Sequence, residues 1–190
     1  MLIRRETAAD EAAVRAVIAS AFAANVPAGA PDGTEPVEAV LLGRLRRDAG
    51  WLPEYSLAAV EGTGAGDPAD PVGGGPVVGH VVCTRGYVGT TAALGLGPIG
   101  VAPGCQGRGI GSALMHAVLG AADARSEPLV ALLGEPGYYR RFGFRPAAEL
   151  GVVAPDPAWG DYFQVRPLSA YDTAHRGAFR YAAPFDRLAG

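Results

Sequence analysis

The most informative stretch of the sequence reads VAPGCQGRGIGSALM and runs from Val101 to Met115. A strand pattern ends at Val101, a glycine-rich turn follows, and a helix pattern then begins. The N–H groups in the first turn of a helix lack partners within the helix, and the helix dipole places partial positive charge on them. Glycines at 107, 109 and 111 let a phosphate approach the main chain without meeting a Cβ atom. The stretch therefore predicts a strand–turn–helix unit that binds a pyrophosphate.

The glycine spacing narrows the class of nucleotide that fits this turn. A Walker A loop needs Lys and then Ser or Thr after its last glycine, but Ile110-Gly111-Ser112 stands there. A dinucleotide fingerprint has the spacing Gly-x-Gly-x-x-Gly, which the glycines at 107, 109 and 111 do not match. Both common nucleotide motifs are thus disfavoured. Two alternatives remain, a nucleotide-binding protein that uses the same turn and a turn without any ligand.

Length and composition indicate a globular chain with one buried core. The chain has 190 residues, 49% of them hydrophobic, and a formal net charge of −3. Since no surplus of basic residues exists to neutralise phosphates, we expect no nucleic-acid partner. No apolar run reaches membrane-spanning length and no signal peptide precedes the first predicted strand, so we expect no membrane contact and a cytoplasmic location. The two cysteines, Cys83 and Cys105, do not indicate a disulfide framework.

Hydrophobic periodicity predicts alternating strands and helices along most of the chain. Strands are predicted at 2–5, 55–61, 77–84, 92–101 and 128–133, and helices are predicted after Thr7, from Val37 to Leu45 and over 109–125. A short helix, a turn at Gly143 and a last core strand end this unit near Pro146. The order predicts an α/β sandwich with a mixed sheet, in which the strand at 128–133 runs parallel to the strand at 92–101.

Three segments carry weaker signals. Residues 62–76, rich in Gly, Pro, Asp and Ala, are expected to form a long hairpin connection. The glycines at 95, 97 and 100 indicate a bulge in their strand or a close approach by another backbone. Residues 147–190 carry weak strand patterns at 162–166 and 178–182, and they either extend the sheet or cover the site.

Two motifs resemble those of the GNAT superfamily of N-acetyltransferases. The residues from Gln106 to Gly111 are similar to its Gln/Arg-x-x-Gly-x-Gly/Ala signature, which binds the pyrophosphate of coenzyme A, and Leu96 to Pro103 resembles the strand before it. Tyr138 to Phe144 resembles the late Tyr-x-x-x-Gly-Phe element. The stretch from Leu133 to Phe144 and the pattern Gly177-Ala-Phe-Arg-Tyr181 are similar to the YhbS-like bacterial branch.

The resemblance implies one GNAT-like domain over residues 1–190, with a core of about 1–146 and a C-terminal extension at 147–190. It implies an α/β fold whose mixed, mostly antiparallel central sheet is flanked by helices. It also implies an N-acetyltransferase that moves an acetyl group from acetyl-CoA to a primary amine of a small molecule or peptide, by direct attack and without a metal. Dimers are common among relatives, so a homodimer is compatible with the resemblance.

The resemblance further assigns roles to individual residues. Acetyl-CoA binding falls to the strand end and the turn, namely Ile99, Gly100, Val101, Gln106, Gly107, Arg108, Gly109, Ile110, Gly111 and Ser112. Arg108 either makes a charge-assisted contact to phosphate or points to solvent while its N–H binds. By register Tyr139, four residues before Gly143, is the general acid that protonates the departing thiolate. The alternative is that Tyr138 and Tyr139 only pack against the core.

No residue fills the role of general base by motif. The family often places a glutamate on the strand before the phosphate turn, and none occurs between Ala92 and Val101. His80, Glu38 and Glu135 are the candidates, but none is assigned, because an amine delivered neutral through ordered water fits equally well. The missing glutamate also motivates an alternative function, a non-catalytic acyl-CoA sensor or interaction module.

Overall fold

The computed structural model describes residues 1–62 and 75–188, which form a nine-stranded sheet with helices on both faces. The strands are β1 (Leu2–Arg5), β2 (Trp51–Val60), β3 (Val77–Val88), β4 (Thr91–Val101), β5 (Leu129–Leu133), β6 (Arg145–Pro146), β7 (Val152–Val153), β8 (Phe163–Pro167) and β9 (Gly177–Arg180). The helices are α1 (Glu11–Ala21), α2 (Val37–Leu45), α3 (Ile110–Ala124) and α4 (Pro136–Tyr139). None of the helices in the described part of the chain is long and apolar enough to cross a membrane.

The sheet is mixed and mostly antiparallel, which confirms the predicted fold class. Its strands follow the order β1-β2-β3-β4-β5-β8-β6, with β9 beside β3 and β7 beside β9. β5 runs parallel to β4, as predicted, and α3 is the crossover that a parallel pair requires. This connection places the start of α3 and the carboxyl ends of β4 and β5 at the same end of the sheet, where ligands of α/β proteins usually bind.

Strand alternation divides the sheet into two faces, each covered by helices. α1 and α2 cover one face through a cluster that contains Val14, Ile18, Leu42, Ala58 and Val82. α3 covers the other face through a cluster that contains Leu57, Val81, Leu114, Met115 and Val118. Burial of one such aliphatic side chain larger than alanine contributes about 1.5–3 kcal/mol. The two helical layers therefore hold β3 and β4 firmly in the middle of the molecule.

Two central strands are longer than the sequence pattern predicts. β2 begins at Trp51 rather than at residue 55, and β3 continues past its predicted end at Thr84. Trp51 opposes Thr84, and the last residues of β3 pair with β4 and β9. Pairing with neighbours extends both strands, and a local pattern does not contain that information. Most of the predicted connection at 62–76 lies outside the described residues, although the Glu61 N–H donates to the Pro76 carbonyl oxygen at its base (3.0 Å).

The last strand predicted near residue 146 is present as β6, but it has only two residues and lies at the edge of the sheet rather than in its core. β8, which comes from the C-terminal extension, inserts between β5 and β6 and pairs antiparallel with both. The weak pattern at 162–166 thus corresponds to an inner strand. The pattern at 178–182 corresponds to β9, which pairs with the end of β3. The extension therefore completes the sheet.

Candidate active site

A gap between β4 and β5 is the central feature of the site. β4 pairs with β5 only at Leu94 and Gly95, and it then continues to Val101 without that neighbour. The register between β4 and β3 shifts by one residue around Gly97 and Pro98, as in a β-bulge. The bulge predicted from the glycines of this strand is therefore present. A bulge bends its strand, and here the bend separates β4 from β5 at their carboxyl ends.

The backbone of β4 presents donors to this gap. The N–H of Ala102 donates to the Val78 carbonyl oxygen at 2.9 Å, and thus points toward β3. Because successive N–H groups of an extended strand point to opposite edges, the N–H groups of Ile99 and Val101 point away from β3 and into the gap. An extended molecule in the gap can therefore pair with β4 as an added strand would.

The turn before α3 exposes its main chain at the entrance to the gap. Gly107 and Gly109 have φ angles of +75° and +79°, and no atom lies within 4 Å of a Cβ added at either position. These conformations favour glycine, and the space in front of the backbone is open. A cleft of about 500 Å³, which we call the turn cleft, lies along this segment. Its lining includes every residue predicted to bind acetyl-CoA except Arg108: Ile99, Gly100, Val101, Gln106, Gly107, Gly109, Ile110, Gly111 and Ser112.

The side chain of Arg108 lies outside the turn cleft. Its Nη1 atom forms an ion pair with Oε1 of Glu61 at 2.8 Å and lies 3.6 Å from the Sγ atom of Cys105. The hydrogen bond with Glu61 raises the pKa of the Arg108 guanidinium. Of the two predicted roles for this residue, the arrangement favours the one in which the backbone N–H contacts a phosphate. Gln106 holds the turn against β4, because its Nε2 donates to the Val101 carbonyl oxygen at 3.1 Å.

Tyr138 and Tyr139 lie on α4 and turn in different directions, with their rings edge to face at 4.9 Å. The Tyr138 hydroxyl oxygen reaches the start of α3, where it would lie 3.0 Å from a Cβ added at Gly111. The Tyr139 ring lies directly against Gly134, just after β5, and leaves no room for a Cβ there. Burial raises the pKa of Tyr139 to about 12, so its hydroxyl keeps its proton at neutral pH. Tyr139 is therefore able to donate a proton.

A second cavity, of about 650 Å³, adjoins the turn cleft and has Tyr139 in its wall. Phe22, Ile99 and Tyr138 line both cavities, so the two meet at the end of β4. We call the second one the aromatic cavity, because Phe22, Tyr138, Tyr139, Trp159, Tyr181 and Phe185 all line it. Glu38 and Glu135 contribute the carboxylates of its wall. The site thus consists of the turn cleft, which presents main-chain N–H groups, and the aromatic cavity, which presents side chains. The two meet at Ile99.

The aromatic residues of the C-terminal extension were not among the predicted site residues. The Tyr181 ring lies against Gly95, and Phe185 lies 3.8 Å from the position of a Cβ at Gly97. The expectation that another backbone approaches these glycines is wrong there, since aromatic side chains fill the space. The glycines of β4 are a sequence signal that something packs closely against this strand. No sequence pattern indicates that the side chains of Tyr181 and Phe185, in the C-terminal extension, are the groups that do so. Residues 147–188 therefore both extend the sheet and cover the site.

His80 lies in the sheet core rather than in the site. It is fully buried, and its Nε2 atom lies 3.0 Å from Oε2 of Glu6 and 2.9 Å from Oγ of Ser56. Burial lowers the pKa of His80, which favours the neutral imidazole. It lines neither the turn cleft nor the aromatic cavity. The geometry therefore gives His80 a structural role, with its Nε2 atom committed to two neighbouring side chains and its buried Nδ1 atom without a hydrogen-bond partner among the described residues.

The two other candidates for the base, Glu38 and Glu135, line the aromatic cavity. Oε1 of Glu135 accepts the Gly137 N–H at 3.3 Å, so this carboxylate caps α4. Oε1 of Glu38, on α2, accepts from Nδ2 of Asn25 at 2.7 Å. Oε2 of Glu38 is buried and has no hydrogen-bond partner among the residues that the structure describes. Glu38 is thus the carboxylate of this cavity that still lacks a donor.

Comparisons with known proteins agree with this architecture. The family model of the GNAT acetyltransferase domain matches residues 3–147, whereas a comparison with curated proteins finds no match. The structure of YhbS from Escherichia coli in complex with CoA is 26% identical, with a TM-score of 0.77, and the match covers 98% of this chain and 92% of that one. A GNAT acetyltransferase from Brucella melitensis in complex with acetyl-CoA is 30% identical, with a TM-score of 0.69, and the match covers 97% of each chain.

A more distant match shows the fold alone. The ribosomal-protein-S18-alanine N-acetyltransferase from Escherichia coli is 14% identical, with a TM-score of 0.54, over 88% of this chain and 94% of that one. The family model, in contrast, spans β1 to β6 and includes the turn before α3 and both tyrosines of α4. The chain belongs to the GNAT family of acetyltransferases and, within it, to the YhbS-like branch.

Proposed function

We propose that this acyltransferase moves an acetyl group from acetyl-CoA to a primary amine, with Tyr139 as the general acid. One observation carries the proposal: the turn cleft, with its open main-chain N–H groups, adjoins the aromatic cavity, whose wall contains the partly buried Tyr139. The complexes of the Escherichia coli and Brucella melitensis relatives with CoA and acetyl-CoA support the choice of cosubstrate.

The residues of the turn cleft fit acetyl-CoA. The N–H groups from Gln106 to Gly111 would hold the pyrophosphate, because they combine the start of α3 with a backbone free of side chains at Gly107 and Gly109. The N–H group of Val101 would pair with an amide of the pantetheine arm. Arg108 would contribute its N–H, since its guanidinium pairs with Glu61.

Acetyl-CoA supplies, when bound, a thioester whose carbonyl carbon accepts an amine and whose sulfur leaves as a thiolate. The N–H of Ile99 would stabilise the negative charge that develops on the carbonyl oxygen. Tyr139 would donate its proton to the sulfur as the carbon–sulfur bond breaks. The raised pKa of Tyr139, about 12, keeps that proton in place until it is needed.

The proposal treats residues 1–190 as one domain, with a core of about 1–146 and an extension at 147–190. β8 supports this view because it lies between β5 and β6 of the core. Tyr181 and Phe185 support it because they complete the wall around Tyr139. A core without the extension would lack an inner strand and one side of the site.

Calorimetry with acetyl-CoA, combined with an assay for thiol release in the presence of many amines, tests the proposal. We expect micromolar binding of acetyl-CoA, weaker binding of ATP and NAD, and thiol release that depends on an amine. Absence of acetyl-CoA binding would refute the proposal. Binding without thiol release for any amine would instead support the non-catalytic sensor.

A further inference from the structure

We infer that the acceptor is a primary amine carried by a flat aromatic group, and that Glu38 binds its ammonium group and takes its proton. This inference rests on the proposed function, because it assigns the aromatic cavity to the acceptor. The cavity has the two features that such a molecule needs, an aromatic wall and a carboxylate that lacks a donor.

The wall of the cavity favours a flat apolar group. Tyr181 and Phe185 lie with ring centroids 4.5 Å apart and an interplanar angle of 32°, and Trp159 packs edge to face on Tyr181 at 6.4 Å. Phe22 and Pro98 add apolar surface from α1's end and β4. A volume of about 650 Å³ lies within the usual range for small-molecule sites. Stacking or edge contacts between aromatic rings stabilise binding beyond the effect of buried area alone.

The charges of the cavity exclude several other amines. Glu38 and Glu135 are the charged residues of its lining, and no basic side chain lines it within the described part of the chain. A free amino acid would therefore bring a carboxylate that meets no cation. A polyamine would place its second ammonium group against Glu135, and that carboxylate is less available than Glu38 because it already accepts the Gly137 N–H and caps α4. An amine with one positive charge and an apolar body fits both observations.

Glu38 is the carboxylate suited to the ammonium group. Asn25 occupies its Oε1 atom, while Oε2 is buried and has no hydrogen-bond partner among the described residues, and Glu38 itself lines the aromatic cavity. A buried acceptor without a donor is unfavourable, and an incoming N–H group removes that penalty. Glu135 is less suited, because it is exposed and caps α4. The protein thus holds one unsatisfied anion at the wall of an apolar cavity.

The proton balance is complete with this assignment. The ammonium group gives its proton to Glu38 and becomes a nucleophile. A carbon–nitrogen bond then forms as the carbon–sulfur bond breaks, and Tyr139 gives its proton to the sulfur. The new amide nitrogen loses its second proton to solvent, and solvent exchange returns Glu38 to the carboxylate and Tyr139 to the phenol. Glu38 and Tyr139 lie in the wall of the same cavity, as this assignment requires.

Kinetics with the full chain at saturating acetyl-CoA test the acceptor class, with phenethylamine, hexylamine, putrescine and phenylalanine as probes. We expect kcat/KM for phenethylamine to exceed that for each of the others by about tenfold or more. Equal or better turnover of hexylamine would overturn the aromatic assignment, and equal or better turnover of putrescine or phenylalanine would overturn the assignment of an acceptor with one positive charge. Thiol release with some amine, whatever its class, would leave the proposed function standing, so the two failures are distinguishable.

The role of Glu38 is tested by Glu38→Gln, which keeps an acceptor for Asn25 but removes the charge. We expect kcat/KM for phenethylamine to fall about a hundredfold near neutral pH while acetyl-CoA affinity is unchanged. The loss should shrink as the pH rises toward the pKa of the free amine, because the substrate then arrives neutral. Glu149→Gln, a change at an exposed carboxylate outside both cavities, is the matched control. A loss that is the same at every pH would overturn the role in proton transfer.

A second variant keeps the inference testable if Glu38→Gln does not fold. Phe185→Ala removes one ring of the wall without touching a carboxylate. We expect the ratio of kcat/KM for phenethylamine to that for hexylamine to fall about fivefold or more, since a stacking contact is lost. An unchanged ratio would show that the wall does not select aromatic substrates.

Discussion

The turn cleft and the aromatic cavity meet at Ile99 but are built in opposite ways. The turn cleft comes mainly from one continuous stretch around Gly107 and Gly109, and it presents main-chain N–H groups. The aromatic cavity comes from α1's end, α2, β4, α4 and the C-terminal extension, and it presents side chains. A main-chain site suits a constant cosubstrate, whereas a side-chain site can change with the acceptor. The comparison explains why the resemblance to a family indicates acetyl-CoA but leaves the acceptor open.

The largest expected effect is a loss of kcat on replacement of Tyr139, the proposed proton donor. Tyr139→Phe removes the proton donor, so kcat should fall about a hundredfold, while calorimetry should show unchanged affinity for acetyl-CoA. Tyr138→Phe is the matched change on the same helix. A loss in the Tyr138 variant alone would move the acid to the tyrosine that reaches Gly111 and would place the chemistry on the side of the turn cleft.

A large effect on stability is expected from replacement of Glu6. This residue lies with His80 in a buried cluster that is separate from both cavities. Burial opposes ionisation, but the hydrogen bonds from His80 and Ser56 and the charge of Arg46 outweigh it and lower the pKa of Glu6 to about 2. The folded pKa lies below the unfolded value, so the ionised carboxylate stabilises the protein above the unfolded pKa, and this contribution disappears as the pH falls toward the folded pKa.

Glu6→Gln should therefore lower the free energy of unfolding by about 2 kcal/mol at about pH 7, measured with urea. The difference from the wild type should shrink by about pH 3. Glu149→Gln, at an exposed position, should change stability by less than about 0.5 kcal/mol. A strong fall in kcat for Glu6→Gln at unchanged stability would contradict the structural role of the cluster and would bring His80 back into the site.

A moderate loss of affinity for acetyl-CoA is expected from a substitution in the turn cleft. Gly109→Ala places a side chain at a φ of +79°, which costs about 1–2 kcal/mol, and the turn can relieve this strain only by moving its N–H groups. The Kd for acetyl-CoA should rise about tenfold, measured by calorimetry. Gly104→Ala, in the same segment but without a positive φ or a nearby atom, should leave it unchanged. Equal effects of both changes would show that the turn is not the phosphate site.

The smallest expected effect concerns the pH dependence of kcat, which should be flat in mildly alkaline solution. Because burial raises the pKa of Tyr139 from its usual value near 10 to about 12, the acid form persists in alkaline solution. With a saturating neutral amine, kcat should stay flat from about pH 8 to about pH 10. A decline near pH 10 would mean that the acid is a solvated phenol, such as a tyrosine in contact with water.

Much of the fold could be predicted because its signals are local. The apolar run in β3, the helical spacing in α3 and the glycines of the turn each lie within a short window. The errors arise where distant segments compete for the same place. β8 displaces β6 to the edge because its pairing with β5 is more extensive than that of a two-residue strand, and no pattern near Pro146 reveals this.

The candidate site likewise has a part that local sequence signals predict and a part that depends on contacts between distant segments. The turn residues lie along one cleft as expected, apart from the side chain of Arg108, which finds a partner in Glu61 from a different part of the chain. His80 and Glu38 could not be ranked as bases from the sequence, because burial and partners decide between them. The fold buries His80 beside Glu6, and it places Glu38 in the wall beside Asn25 with one oxygen unpaired.

The sequence by itself determined the strand–turn–helix unit, since positive φ angles at Gly107 and Gly109 and free N–H groups at the start of α3 depend on neighbouring residues only. Tertiary structure alone decided the aromatic cavity. Tyr181 and Phe185 reach β4 because β8 and β9 bring the extension back across the sheet, into space left by Gly95 and Gly97. Backbone conformation is a short-range property, whereas the convergence of side chains depends on contacts between residues far apart in the chain.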